Sequence, residues 1–222
     1  MPDQDDAKKL MDEFAAAPTC PTMWTNLDRA KIAAGLKVRI DDPHKINQAS
    51  TSLCGPADFA CYVAEDKPVE YAKAVIDYQG ENDDAAAITM PHSKEKWLKS
   101  AGYTEVINQT NIVFCKNLAG AARASNYFIL GYKVALFINA DMLEANSMNT
   151  PSFFPNHWVA LTSAIDIKSI NLARPGTLVE DKSSSIKFEE YTWGGRQQVP
   201  ESGTLTDYNF LSNYYGFIAC KR

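Results

Sequence analysis

The period of the hydrophobic pattern changes near Gly131, and that change limits the fold more than any motif does. Before it, apolar residues recur at three-to-four spacing, as on one face of a helix. Residues 4–16 place Ala7, Leu10, Met11 and Phe14 together, with acidic residues in the first turn and Pro18 and Pro21 as a stop. Further helices are expected over 24–34, broken by Gly35 and Asp41-Asp42-Pro43, and over 57–65, 69–78, 93–101 and 117–129. After Gly131, short runs rich in strand formers occupy 133–139, 157–163, 185–193 and 214–220. Helices followed by strands predict an α+β domain with an antiparallel sheet, not a doubly wound parallel one.

Charge narrows the choice of partners. A formal net charge of −5 and a pI near 5.2 leave no basic footprint, so no nucleic acid is expected. No apolar run approaches the length of a membrane span, so no membrane insertion is expected either. The acidic Met-Pro-Asp-Gln-Asp-Asp start is unlike a secretory signal, which predicts synthesis in the cytoplasm and leaves open export by a route that reads no cleavable signal. The 5 cysteines are odd in number and lack CxxC spacing, so neither a zinc cluster nor any other cofactor is expected.

One of those cysteines has chemical company. Gln48 stands 6 residues before Cys54, and Cys54 is followed by Gly55-Pro56 where an apolar helix begins. A thiol at a helix N-terminus meets partial positive charge and unpaired N–H groups, both of which favour the thiolate, and a nearby glutamine amide can donate to an oxyanion. Most cysteines are simply small buried apolar side chains, so the chain must also supply a base. With only 3 histidines the search is short: His44 lies in an Asp-Asp-Pro-His-Lys turn and His92 follows a proline, both read as surface residues, whereas His157 opens a strand. His157 is therefore the candidate base.

A third group ordinarily orients the imidazole. Asp166 is 9 residues beyond His157, and at ~3.3 Å per residue a straight strand would carry it roughly 30 Å away. If 185–193 returns antiparallel, its last residues arrive beside His157, which leaves Tyr191 or Thr192 as the orienter. Neither is a carboxylate or an amide.

With Gln48, Cys54, His157 and Tyr191-Thr192-Trp193-Gly194 in place, residues 45–221 resemble the papain-like superfamily of cysteine peptidases and amidases. In that family the oxyanion glutamine precedes the nucleophile by the same interval, the nucleophile opens the central helix, the histidine starts a strand, and Asn-Ser-Trp-Gly follows on the next. Tyr191 stands where the family has its orienting asparagine. Leu53-Cys54-Gly55-Pro56-Ala57 and Asn156-His157-Trp158-Val159-Ala160-Leu161 also look like modules of type VI secretion effectors related to NlpC/P60 cell-wall endopeptidases, with TseH-like effectors the nearest group. The two amphipathic helices over 4–16 and 24–34 make 1–44 a helical extension packed on the core, and the resemblance implies a papain-like hydrolase core over 45–222 and an antibacterial toxin cleaving peptidoglycan peptides. It also implies a secretion-machinery carrier and a cognate immunity protein as partners. A protein-directed protease, deamidase or transferase would use the same Cys/His pair, and a non-catalytic binding protein would keep the fold alone. Phe153, Phe154, Trp158 and Trp193 either wall the cleft or belong to the core.

Overall fold

Residues 2–17, 28–47, 54–80, 98–99, 102–110, 118–143, 155–168, 185–192 and 194–222 are described by a computed structural model, with backbone alone at 2, 54–56, 77–80 and 168. The helices are α1 (Pro2–Ala16), α2 (Arg29–Asp41), α3 (Cys54–Asp66), α4 (Pro68–Gly80), α5 (Leu118–Ile129) and α6 (Asp207–Asn213). The strands are β1 (Glu105–Gln109), β2 (Lys133–Ile138), β3 (His157–Leu161), β4 (Asp166–Lys168), β5 (Ser185–Thr192), β6 (Gly195–Val199) and β7 (Tyr214–Lys221). They form one sheet in the order β1-β7-β2-β3-β5-β4, with β6 also on β5, and every strand pair is antiparallel. The α+β class follows from this arrangement. Among the described residues no helix is long and apolar enough to cross a membrane.

Strand alternation sends side chains from the sheet into two separate cores. Ala135, Trp158, Ala160, Tyr191, Ile218 and Cys220 face one way and pack with Ala7, Met11 and Phe14 of α1, Ala33, Leu36 and Ile40 of α2, and Phe59, Tyr62 and Tyr71 of α3 and α4. Val134, Leu136, Ile138, Val159, Leu161, Phe188, Phe217 and Ala219 face the other way, onto Ala121 and Ala124 of α5 and Phe210 of α6. The buried apolar residues of α1 and α2 thus share a core with α3. At ~1.5–3 kcal/mol for each large apolar side chain withdrawn from water, each layer fastens its helices to the sheet.

Several elements depart from the sequence expectation. The helix expected over 24–34 is α2, which runs through Gly35 and ends before Pro43. Its start is fixed by the Asp28 carboxylate, which accepts from the N–H groups of Ala30 and Lys31. A glycine inside a helix costs only ~1 kcal/mol against alanine, less than burial of Leu36 and Ile40 returns. The division into a helical half and a strand half is also too simple, since β1 falls among the helices and α6 among the strands. Thr206 starts α6 by accepting from the Asn209 N–H.

β7 carries one extra residue against β2: Leu136 pairs with Phe217 but Ile138 with Tyr214. This bulge lets Tyr214 and Phe217, three apart in sequence, lie in the same core. Gly216 sits in it at φ +122°, and a Cβ there would come within 2.0 Å of the Gln109 carbonyl oxygen.

Candidate active site

The helix that begins at Cys54 lies along the sheet, and its direction can be read from its contacts. Near its C-terminal end the Glu65 carboxylate accepts from Lys133 at the start of β2. Nearer its N-terminus the Phe59 ring is 6.4 Å from that of Trp158. Because Ile138 at the end of β2 pairs with His157, the N-terminus of α3 points to the end of the sheet where β3 begins. Thirteen helical residues span ~18 Å, and α3 packs along β3 with its start directed to the end where β3 begins.

The segment leading to Gln48 reaches that same end. The Tyr191 hydroxyl donates to the Ile46 carbonyl, and Asn47 lies against Gly194, where an added Cβ would stand 2.7 Å from Asn47 Nδ2. Gly194 adopts φ +82°, which spares it the left-handed penalty any other residue would meet. Gln48, Trp193, His92, Phe153 and Phe154 lie outside the described residues, as does the side chain of Cys54.

His157 is 4% exposed, and its Nε2 is 2.6 Å from the Thr192 Oγ1. The contact follows from register: Ala160 pairs with Tyr191, which puts Thr192 across from Val159 and diagonal to His157 on one face. Burial lowers the His157 pKa to about 4, so the ring is neutral near pH 7. Tyr191 points the other way, to Ile46 and beneath α3. Of the two hydroxyls read as possible orienters, Thr192 is thus the one in contact with the imidazole. Asp166 opens β4, exposed and opposite Lys187.

Alternation has a further consequence. His157 shares its face with Ile138, Val159 and Leu161, whereas α3 packs on the face of Trp158 and Ala160. Trp158 is core and stacks on Phe137 at 4.5 Å. The strand therefore does not lay the imidazole directly under the helix. His157 instead opens β3 at the sheet end toward which the start of α3 is directed.

Two features escaped the sequence reading. Glu190 is fully buried beside this histidine's strand, on the face of Phe188 and Thr192, and neither of its oxygens makes a hydrogen bond of ordinary geometry with a described residue. Burial pushes its pKa up to about 8, while the Gln197 amide, opposite in register, pulls the other way. Alternation of Ile186, Phe188 and Glu190 is the signal that places it inward. The second is His44, which is half-buried. The Asp42 side chain caps the turn Pro43–Lys45 and folds it against α3, so that the His44 ring meets Tyr191 edge-on at 5.1 Å. His44 Nε2 is 3.5 Å from Glu65 and 3.2 Å from Arg196. Burial, then Arg196, hold its pKa below the ordinary imidazole value against the pull of Glu65 and Asp42. Cys61 lies in the same cluster, its thiol pushed well up by burial and then by Glu65 and Asp58. No family model, curated protein or solved structure matches this chain.

Proposed function

We propose that this protein is a cysteine amide hydrolase of papain-like design, with Cys54 as nucleophile and His157 as acid and base. The observation that carries the reading is the His157–Thr192 contact at the sheet end toward which the start of α3 is aimed. A proton on Nε2 donated to Thr192 leaves the lone pair on Nδ1, the state a base requires. Cys54 sulfur attacks the carbonyl carbon, its proton passes to His157, and the oxyanion is held by the Cys54 backbone N–H and the Gln48 amide. His157 then protonates the leaving amine, and a water deprotonated by the same ring releases the acid and restores the thiol. In this reading thiol and imidazole meet beyond the first residue of β3, not beneath α3.

The low His157 pKa bears on the resting state. Burial holds the His157 pKa at about 4, so the ring rests neutral at neutral pH and takes up the thiol proton only as attack proceeds. Short cell-wall peptides are the substrate class that the resemblance to NlpC/P60-related effectors favours, with delivery by a secretion carrier and neutralisation by an immunity protein.

The test is incubation of the reduced protein with isolated peptidoglycan and, separately, with a soluble proteome, followed by detection of new amines. New amines from peptidoglycan, lost in Cys54→Ala and His157→Ala, support the reading. Undiminished hydrolysis in a folded Cys54→Ala protein sinks the nucleophile assignment, and intact peptidoglycan with a cleaved proteome sinks the cell-wall substrate.

A further inference from the structure

We propose that His44, Cys61 and Glu65 form a binding site for a borderline transition-metal cation, Zn²⁺ above all, separate from Cys54 and His157. One ligand atom from each of the three lies within 4.8 Å of the other two. Cys61 and Glu65 are four apart on α3, so both project from one helical face, and the turn Pro43–Lys45 brings His44 over them. His44 Nε2 and the Glu65 carboxylate are 3.5 Å apart, already the separation of two donors sharing a tetrahedral zinc with bonds of ~2.0–2.3 Å. A sulfur, an imidazole nitrogen and a carboxylate oxygen are a donor set suited to zinc, and three protein ligands leave a fourth position for water.

The surroundings fit as well. The Asp42 carboxylate is 3.5 Å from His44 Nδ1, the position from which a carboxylate orients a metal-binding imidazole so that its other nitrogen faces the ion. Asp42 is itself fixed, since it accepts from the His44 N–H at 3.2 Å. Lys133 engages one Glu65 oxygen while the other faces His44. The Arg196 guanidinium, on exposed β6, stands 3.2 Å from Nε2 and so holds positive charge where the cation would bind. Its exposed side chain can leave to solvent, and the thiol proton is released to buffer as the Cys61–metal bond forms. The ion would staple the segment leading to Gln48 onto the helix that begins at Cys54.

The test uses Co²⁺ as spectroscopic probe and Zn²⁺ as ligand, on the full reduced chain freed of metal by chelation. Expected are a thiolate-to-cobalt charge-transfer band with the visible bands of a four-coordinate ion, loss of that band in Cys61→Ser, and affinity weakened roughly tenfold or more in His44→Gln and Glu65→Gln. Arg196→Ala is expected to bind more tightly. X-ray absorption on the zinc-loaded wild type, which needs no variant to fold, is expected to show one sulfur among nitrogen and oxygen neighbours. The site is overturned by a cobalt band that persists in Cys61→Ser, by a zinc shell with no sulfur or several, by weaker binding in Arg196→Ala, or by no binding to wild type and Arg196→Ala at millimolar cobalt. In that last case the cluster is an ion-pair network only.

Discussion

The Nε2 of His157 lies 2.6 Å from the hydroxyl oxygen of Thr192, across the ladder between β3 and β5 and on the face away from α3. Thr192→Val keeps the shape and removes the oxygen. The buried imidazole then loses the Thr192 hydroxyl, and the variant is expected to lose about 1–3 kcal/mol in urea unfolding. Amide hydrolysis is expected to fall at least ~10-fold, with recovery in Thr192→Ser. A Thr192→Val protein of full activity would remove Thr192 from the positioning of His157.

Tyr191 is the contrasting case. Its hydroxyl donates to the Ile46 carbonyl within the opposite core, so Tyr191→Phe is expected to cost about 1–2 kcal/mol and to leave the His157 ring signals unmoved by NMR. If Tyr191→Phe, folded and stable, loses hydrolysis while Thr192→Val keeps it, the roles of the two hydroxyls are reversed.

Glu190 governs stability on the alkaline side. Its native pKa is raised from 4.5 to about 8, so the folded protein keeps a proton that the unfolded chain releases. The stability it contributes is complete below 4.5 and is lost as pH rises through about 8, on the order of a few kcal/mol. Glu190→Gln is therefore expected to be more stable than wild type above pH 8 and to show a flatter profile in denaturant titrations. A wild type whose stability climbs steadily from 6.5 to about 8 would rule out a neutral buried Glu190.

His157 acts with the opposite sign. Its native pKa is lowered from 6.5 to about 4, so its contribution is complete above 6.5 and is lost as pH falls through about 4. Imidazole NMR is expected to find this ring still neutral at pH 5, and the acid limb of hydrolysis is expected near pH ~4–5. A His157 midpoint at 6.5 or above would mean that the ring is solvated or paired with a charge.

Gly216 offers a test of the sheet alone. With φ +122° and the Gln109 carbonyl 2.0 Å from where a Cβ would stand, Gly216→Ala is expected to destabilise by about 3 kcal/mol or more, measured by urea unfolding. A variant of wild-type stability would show that the bulge can reform elsewhere.

Legibility in the sequence follows the range of the forces involved. The strand at His157 and the helix at Cys54 were readable as apolar runs of strand and helix length, and both are largely buried. β1, with its 5 residues at a sheet edge and no fully buried position, leaves no such pattern. α6 is 7 residues long, too short for a helical period to declare itself, and only its Thr206 cap marks it. In the candidate site, the approach of β5 to His157 was legible because an antiparallel return dictates it. The His44, Cys61 and Glu65 cluster was not, since it depends on how a three-residue turn folds against α3. Nor does sequence reveal the face that His157 takes relative to α3, which is decided by register against β2.

The separation of the sheet's two faces into different cores makes the placement of that histidine discrete. A slip of one residue along β2 would put the Trp158 indole among Val159's present neighbours and drive an imidazole beneath α3, and no intermediate setting exists. The connection entering β3 can therefore lengthen or shorten without nudging His157 by fractions of an ångström. Its position is a two-valued property of the whole sheet, so connections outside the sheet are free to differ in length while the imidazole keeps its face.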